Sequence, residues 1–250
     1  MINKLEIKRD AIEKFLMRVK DSIKKHKKAA IAVVCTIVFL CAAAAVGAVL
    51  YQKSVDDSLA EYAKISDDFD DSVRKISEDI PRTMENYDLL NSKINELKAD
   101  TAAKIVKLKE KSKFGYIARD GYYLAGGYYL ESEKNEEAIK YFELFIKENP
   151  ESELAPLALF SIGVCNENSG NIDKALEIYL SIEKKYPNGK FNARNLYDIG
   201  RMYQKKGDLA KAKEYYEKVK VQHTNTLHSD YATARLMLLN TKPEEVPAKK

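Results

Sequence analysis

The chain has 250 residues, 45% of them hydrophobic and 32% charged, which supplies one modest folded domain with extensions and excludes a disordered chain. Its formal charge of +4 is uneven: residues 1–28 hold ten Lys/Arg against four Asp/Glu, and the stretch from Tyr51 onward is left at −2. A near-neutral main body argues against a nucleic-acid surface, which needs dense Lys and Arg opposite phosphates.

The first element is a basic, amphipathic segment over 1–28. Leu5, Ile12, Phe15, Leu16, Val19 and Ile23 recur at helical spacing among lysines, a pattern expected to lie on the cytoplasmic membrane surface or to continue into a span. Residues 29–50 follow, 22 in a row without a charge, where about 20 apolar residues cross a hydrocarbon core. A buried core helix rarely runs so far without a polar face. Lys20, Lys24, Lys25, Lys27 and Lys28 precede the run, and Asp56, Asp57, Glu61, Asp67, Asp68, Asp70 and Asp71 dominate after it. Since positive flanks stay inside, the expected transmembrane helix leaves the N-terminus in the cytoplasm and the following 200 residues on the other side. A cleaved signal peptide is the alternative, with small residues near Val46 to Ala48, but 28 residues before the apolar run make a long leader. Cys35 and Cys41 lack the small preceding residue of a lipidated cysteine.

Residues 51–113 read as a helical spacer. Val55, Leu59, Tyr62, Phe69, Val73, Ile76 and Ile80, then Met84, Tyr87, Ile94, Leu97, Thr101, Ile105 and Leu108, keep steps near three and four, the mark of a helix with one apolar stripe. Pro81 interrupts the pattern and predicts two helices with a bend. The stripe must be covered. It folds back as a hairpin, pairs with a second copy as a coiled coil, or docks on the domain that follows.

From residue 114 the chain repeats itself. Ala138, Ala175 and Ala212 are 37 residues apart, as are Phe142, Tyr179 and Tyr216, and Gly126, Gly163 and Gly200. Tyr122, Leu159 and Leu196 align, as do Ala125, Ile162 and Ile199, then Phe145, Ile182 and Val219, and Pro150 with Pro187. Small residues let two helices cross closely, an aromatic fills the space beside them, and proline ends the second helix. This order of large apolar, apolar-Gly, Ala, aromatic and Pro resembles the tetratricopeptide repeat, whose usual length is about 34 residues; the extra residues fall after Pro150 and Pro187. Asn166 departs from the tyrosine found as Tyr129 and Tyr203, and Thr224 replaces the last proline. The fold class is therefore all-α: transmembrane helix, helical spacer, and a tetratricopeptide solenoid over 114–240. Its units are 119–155, 156–192 and 193–228, closed by a capping helix at 229–240 that is expected to solubilise the end of the stack. Residues 241–250 read as a disordered tail.

The resemblance implies a concave groove lined by the first helix of each unit, which takes a peptide or partner segment. Carried over column by column, it is lined by Tyr123, Phe160 and Tyr197 in one row and by Gly127, Val164 and Arg201 in the next. Arg194, Gln204 and Lys205 join at the third unit, and Tyr231 lies on the cap. Aromatics and arginine dominate binding hot spots, although the same aromatics also suit a purely packing role. Aromatics stand where the family's carboxylate clamp needs a lysine, so a cytosolic chaperone co-factor is disfavoured.

No phosphate loop, GxSxG, HExxH or Cys/His couple occurs, which argues against an enzyme, and no cofactor is expected. The three cysteines form no CxxC pair, and His26, His223 and His228 are not spaced as metal ligands. The expected partners are proteins or unfolded client peptides, with the membrane held by one helix and no nucleic acid. Short basic segment, one span and outward repeats resemble in layout the ancillary subunit of the bacterial Sec translocon, from which the long spacer departs. This implies a scaffold at the inner membrane whose repeats face the periplasm and hold a partner in secretion or assembly. The rival expectation is a structural envelope or division component, a homodimer through the spacer.

Overall fold

The computed structural model describes residues 2–189 and 191–241; most of the tail expected to be disordered lies outside the described residues. Among those described there are ten helices and no strand. The chain divides into two compact units, Met1–Lys53 and Ser54–Lys250.

In the first unit, α1 (Ile2–Lys25) and the start of α2 (Lys27–Asp79) are separated by a single turn residue, His26. Ile12, Phe15 and Leu16 of α1 are exposed. The apolar run of α2 is long and apolar enough to cross a membrane, and none of its apolar window is buried within the chain. Apolar side chains left so bare need a cover that the chain itself does not supply.

The second unit begins with the remainder of α2, whose half-buried Tyr62, Ile65, Phe69, Val73 and Ile76 hold steps of three and four. Residues 80–86 are non-helical and α3 (Tyr87–Lys111) follows. The helix stops where proline withholds an N–H and restricts the residue before it. Of the three covers expected for the spacer's stripe, the structure shows docking on the repeats together with a fold-back of α3 toward α2. Ala99, Ala102, Ile105 and Val106 of α3 pack with Ala125 and Tyr129 of α4 (Gly115–Glu131), and Tyr62 and Ile65 of α2 close over the same cluster. Phe69 meets Tyr128 edge-on at 5.4 Å, and Glu61 pairs with Lys111 at 2.5 Å. The α3 end of the apolar stripe is thus buried inside the chain, whereas most of its α2 members are half-buried and Leu59, Met84 and Tyr87 are exposed.

Beyond α4 the helices alternate as antiparallel neighbours: α5 (Asn135–Glu148), α6 (Ala155–Asn168), α7 (Ile172–Lys185), α8 (Asn192–Lys205), α9 (Leu209–Gln222) and α10 (Leu227–Asn240). The glycine and aromatic columns meet in all three units. A Cβ at Gly126 would come within 2.9 Å of the Phe142 ring and one at Gly200 within 2.6 Å of the Tyr216 ring, and Gly163 is pressed closer still by Tyr179. Only a residue without a Cβ lets the two helices of a unit approach so far. Cys165, an apolar wall residue in this core, is fully buried, and burial pushes its thiol up to about 11.

The turn inside each unit also repeats. Lys134, Asn171 and Asp208 donate their N–H to the carbonyls of Tyr129, Asn166 and Tyr203, the long-range bond that closes a helix whose exit residue is left-handed. That residue is Gly170 (φ +78°) and Gly207 (φ +81°) in two units, but Glu133 (φ 64°) in the first. A side chain in this region costs about 1–2 kcal/mol, partly offset by the greater freedom of unfolded glycine. Glu133→Gly should therefore stabilise the chain by about 0.5–1 kcal/mol. A urea midpoint that moves down instead would show that the Glu133 side chain compensates for its backbone.

The expected capping helix needs two corrections. It starts at Leu227 rather than 229, because the Thr226 hydroxyl accepts the N–H of Ser229 and fixes the start. It also does not make the end of the stack polar. Ala232 and Leu236 face inward, whereas Leu227, Tyr231, Met237 and Leu238 are 60%, 47%, 62% and 58% exposed.

Candidate functional site

The first helices of the units, α4, α6 and α8, present one residue per turn to a common face that α10 continues. Tyr123 lies 5.7 Å from Phe142, Phe160 5.2 Å from Tyr179, and Tyr197 5.6 Å from Tyr216. Each aromatic of the row rests on the aromatic column of its own unit, so the row is first a packing device. Its members differ in what they leave open. Phe160 is only 6% exposed, held between Tyr179 and Phe191 with the Arg194 guanidinium 4.7 Å above its ring. Tyr123 and Tyr197 are half-buried. Tyr231, the most open, lies 5.9 Å from Tyr197. In the next row, Gly127 faces empty space and Val164 is half-buried.

The basic end is less basic than its sequence columns imply. Arg201 donates through Nε to Asp198 (2.8 Å) and through a terminal nitrogen to both oxygens of Glu167 (2.7 and 2.8 Å). Lys205 adds a bond to Glu167 at 2.8 Å, and Arg194 stands 3.8 Å from Asp198. Glu167 and Asp198 side chains are 10% and 9% exposed. Burial raises the Asp198 carboxyl above its ordinary value despite the neighbouring arginines. For Arg201 burial works against the charge, but Asp198 and Glu167 outweigh it and its pKa is raised. The fourth groove residue of this end, Gln204, accepts the Tyr216 hydroxyl through Oε1 at 2.8 Å.

The structure thus brings Arg194, Tyr197, Arg201, Gln204, Lys205 and Tyr231 together at one end and leaves Tyr123 apart, at the first unit. Sequence reasoning missed Glu167 and Asp198, the acids that fix the cations, and Arg235, which reaches the same face from α10. Arg235 follows Tyr231 by four residues as Arg201 follows Tyr197, a signal the sequence carries. His228 also lies here, 6.1 Å from Tyr197 and from Tyr231, and burial lowers its pKa. Among the described residues no group of three or more His, Cys, Asp or Glu could hold a metal ion.

Residues 123–190 and 193–220 each match a sequence model of the tetratricopeptide repeat. No curated protein matches the chain. Among solved structures, it is similar to MamA at 20% identity, over 69% of this chain and 94% of that one, with a TM-score of 0.43. MamA from Desulfovibrio magneticus RS-1 is 15% identical over 69% and 99% of the two chains, at 0.44. YrrB, described as a tetratricopeptide protein with an unusual peptide-binding site, is 16% identical over 72% and 90%, at 0.46. Residues 123–190 and 193–220 therefore carry tetratricopeptide repeats, which indicate a scaffold for protein–protein interaction.

Proposed function

We propose that the chain is a membrane-anchored scaffold whose repeats face the periplasm and hold a protein partner or unfolded client during envelope secretion or assembly. The observation that carries the interaction half is the end of the common face, where Tyr197 and Tyr231 lie beside Arg194, Arg201 and Lys205, cations paired with Glu167 and Asp198. Side chains held in place lose little freedom on binding, and aromatic–arginine clusters are where interfaces concentrate their energy. The anchored half is supported by the uncovered apolar run of α2 and by the lysines before it and aspartates after it. Docking of α3 on the repeats uses Ile105 and Leu108 of the stripe and so weakens the rival, a structural dimer through the spacer, although Leu59, Met84 and Tyr87 stay exposed.

Two measurements test this reading. A reporter active only outside the cytoplasm, fused after Lys250, should be active; activity of a cytoplasm-only reporter at the same place overturns the orientation. A photo-crosslinking residue at Tyr231 should form adducts with translocon subunits or with secreted chains in transit. The same residue at Val221, which is 72% exposed on α9, should not. Equal labelling from both positions would remove the concave face as the site.

A further inference from the structure

Between α8 and α10 lies a cavity of about 250 Å³ lined by Arg201, Gln204, Lys205 and Arg235. Its hydrogen-bond inventory is one-sided. Gln204 has committed its oxygen to Tyr216, which leaves its amide N–H groups as what it offers. Arg201 and Lys205 are oriented by Glu167 and Asp198, and neither of those carboxylates lines the cavity. Arg235 has no ion-pair partner among the described residues; its one polar contact is Nε to the Tyr197 hydroxyl at 3.5 Å. Arginine and lysine carry donors and no acceptor. The cavity therefore presents mainly donors, three of them cationic, and the cation of Arg235 is without an ion-pair partner among the described residues.

The Arg235 guanidinium has no counterion among the described residues, and the groups beside it leave a ligand to supply the missing acceptor. Resting on the reading of this face as the partner site, we infer that the cavity receives the carboxylate of an acidic side chain on a bound peptide. The residue next to that acid is apolar or aromatic and lies on Tyr197 and Tyr231. The aromatic pair at 5.9 Å borders the arginine directly, since Arg235 touches the Tyr197 hydroxyl. A planar carboxylate matches a guanidinium fork bidentately. The glutamine amide adds a donor that a cationic side chain on the peptide could not use.

The test is selection of randomised nonapeptides displayed on phage against the purified full chain in detergent, run in parallel with Arg235→Gln and Arg235→Lys. Arg235 is suited to this because it supports no other charge. The expected result is enrichment of sequences with Asp or Glu beside an aromatic or aliphatic residue, binding the native chain about tenfold or more tighter than their Gln or Asn versions. Arg235→Gln removes that preference and Arg235→Lys keeps part of it. Enrichment without acid preference, or the same acid preference with Arg235→Gln, overturns the carboxylate site while the groove survives. No enrichment with any form of the chain overturns both.

Discussion

Tyr179→Ala is expected to cost the repeat domain about 3–5 kcal/mol, the scale of emptying a buried aromatic site. Tyr179 is fully buried and touches both helices of its unit, with Phe160 5.2 Å from its ring and Gly163 pressed against its edge. Alanine would leave a cavity that the helices cannot close without moving, because the same contact recurs in the units on either side. Three companion variants separate the ring from its hydroxyl and from the glycine. The Tyr179 oxygen is buried with no hydrogen-bond partner among the described residues, and burial holds its pKa far above the ordinary value. Tyr179→Phe should therefore be neutral or slightly stabilising, whereas Tyr216→Phe, which loses the bond to Gln204, should cost about 1 kcal/mol. Gly163→Ala sets a helix-propensity gain of about 1 kcal/mol against overpacking of about 1–3 kcal/mol, and the ring contact makes overpacking win. Urea unfolding followed by circular dichroism measures all four. A stabilised Gly163→Ala, or a Tyr179→Ala within about 1 kcal/mol of native, would mean that the aromatic column does not hold the units together.

What is readable in the sequence follows from distance along the chain. The glycine–aromatic contact joins residues 16 apart in each unit, and three copies put it in fixed columns, so the pairing of helices is legible from those columns alone. The left-handed turn at Gly170 and Gly207 is visible for the same reason, while Glu133 hides it in the first unit because a turn geometry can be filled against residue preference. The spacer's stripe announces that it needs a cover without naming one, since Ile105 and Tyr62 find their neighbours through packing that leaves no periodic signal. The groove shows the same limit. Its aromatics stand in identifiable columns, but whether a ring faces a ligand or the core depends on the next helix: Phe191 closes over Phe160, and no equivalent covers Tyr231. The cations are visible and their partners are not, because Glu167 and Arg201 belong to different units, 34 residues apart.

That cross-unit pairing leads to the second large effect. Arg201→Met should destabilise the chain by about 2–4 kcal/mol, somewhat less than full disruption of a buried ion pair, since Arg201 is 29% exposed and Lys205 and Arg194 still reach the two acids. The loss is the charge left on Glu167 and Asp198, not the removal of an attraction across water, so it should depend on pH. Asp198 already has a raised pKa in the folded chain, and without Arg201 it rises further. A carboxyl whose folded pKa lies above its unfolded value binds protons more tightly when folded, so its contribution to stability is present at low pH and is lost as pH rises through the folded value. The deficit of Arg201→Met relative to native should therefore be largest near pH 7 and shrink toward the ordinary aspartate range near about pH 4. Adding Asp198→Asn to Arg201→Met removes the group that titrates. The double variant should recover part of the stability at pH 7 and lose most of the pH dependence. Urea midpoints at intervals between pH 4 and 8 decide the matter. A deficit that stays constant with pH, or a double variant no better than Arg201→Met at pH 7, would show that Arg201 acts through packing of its aliphatic stem against the groove rather than by balancing the buried acids.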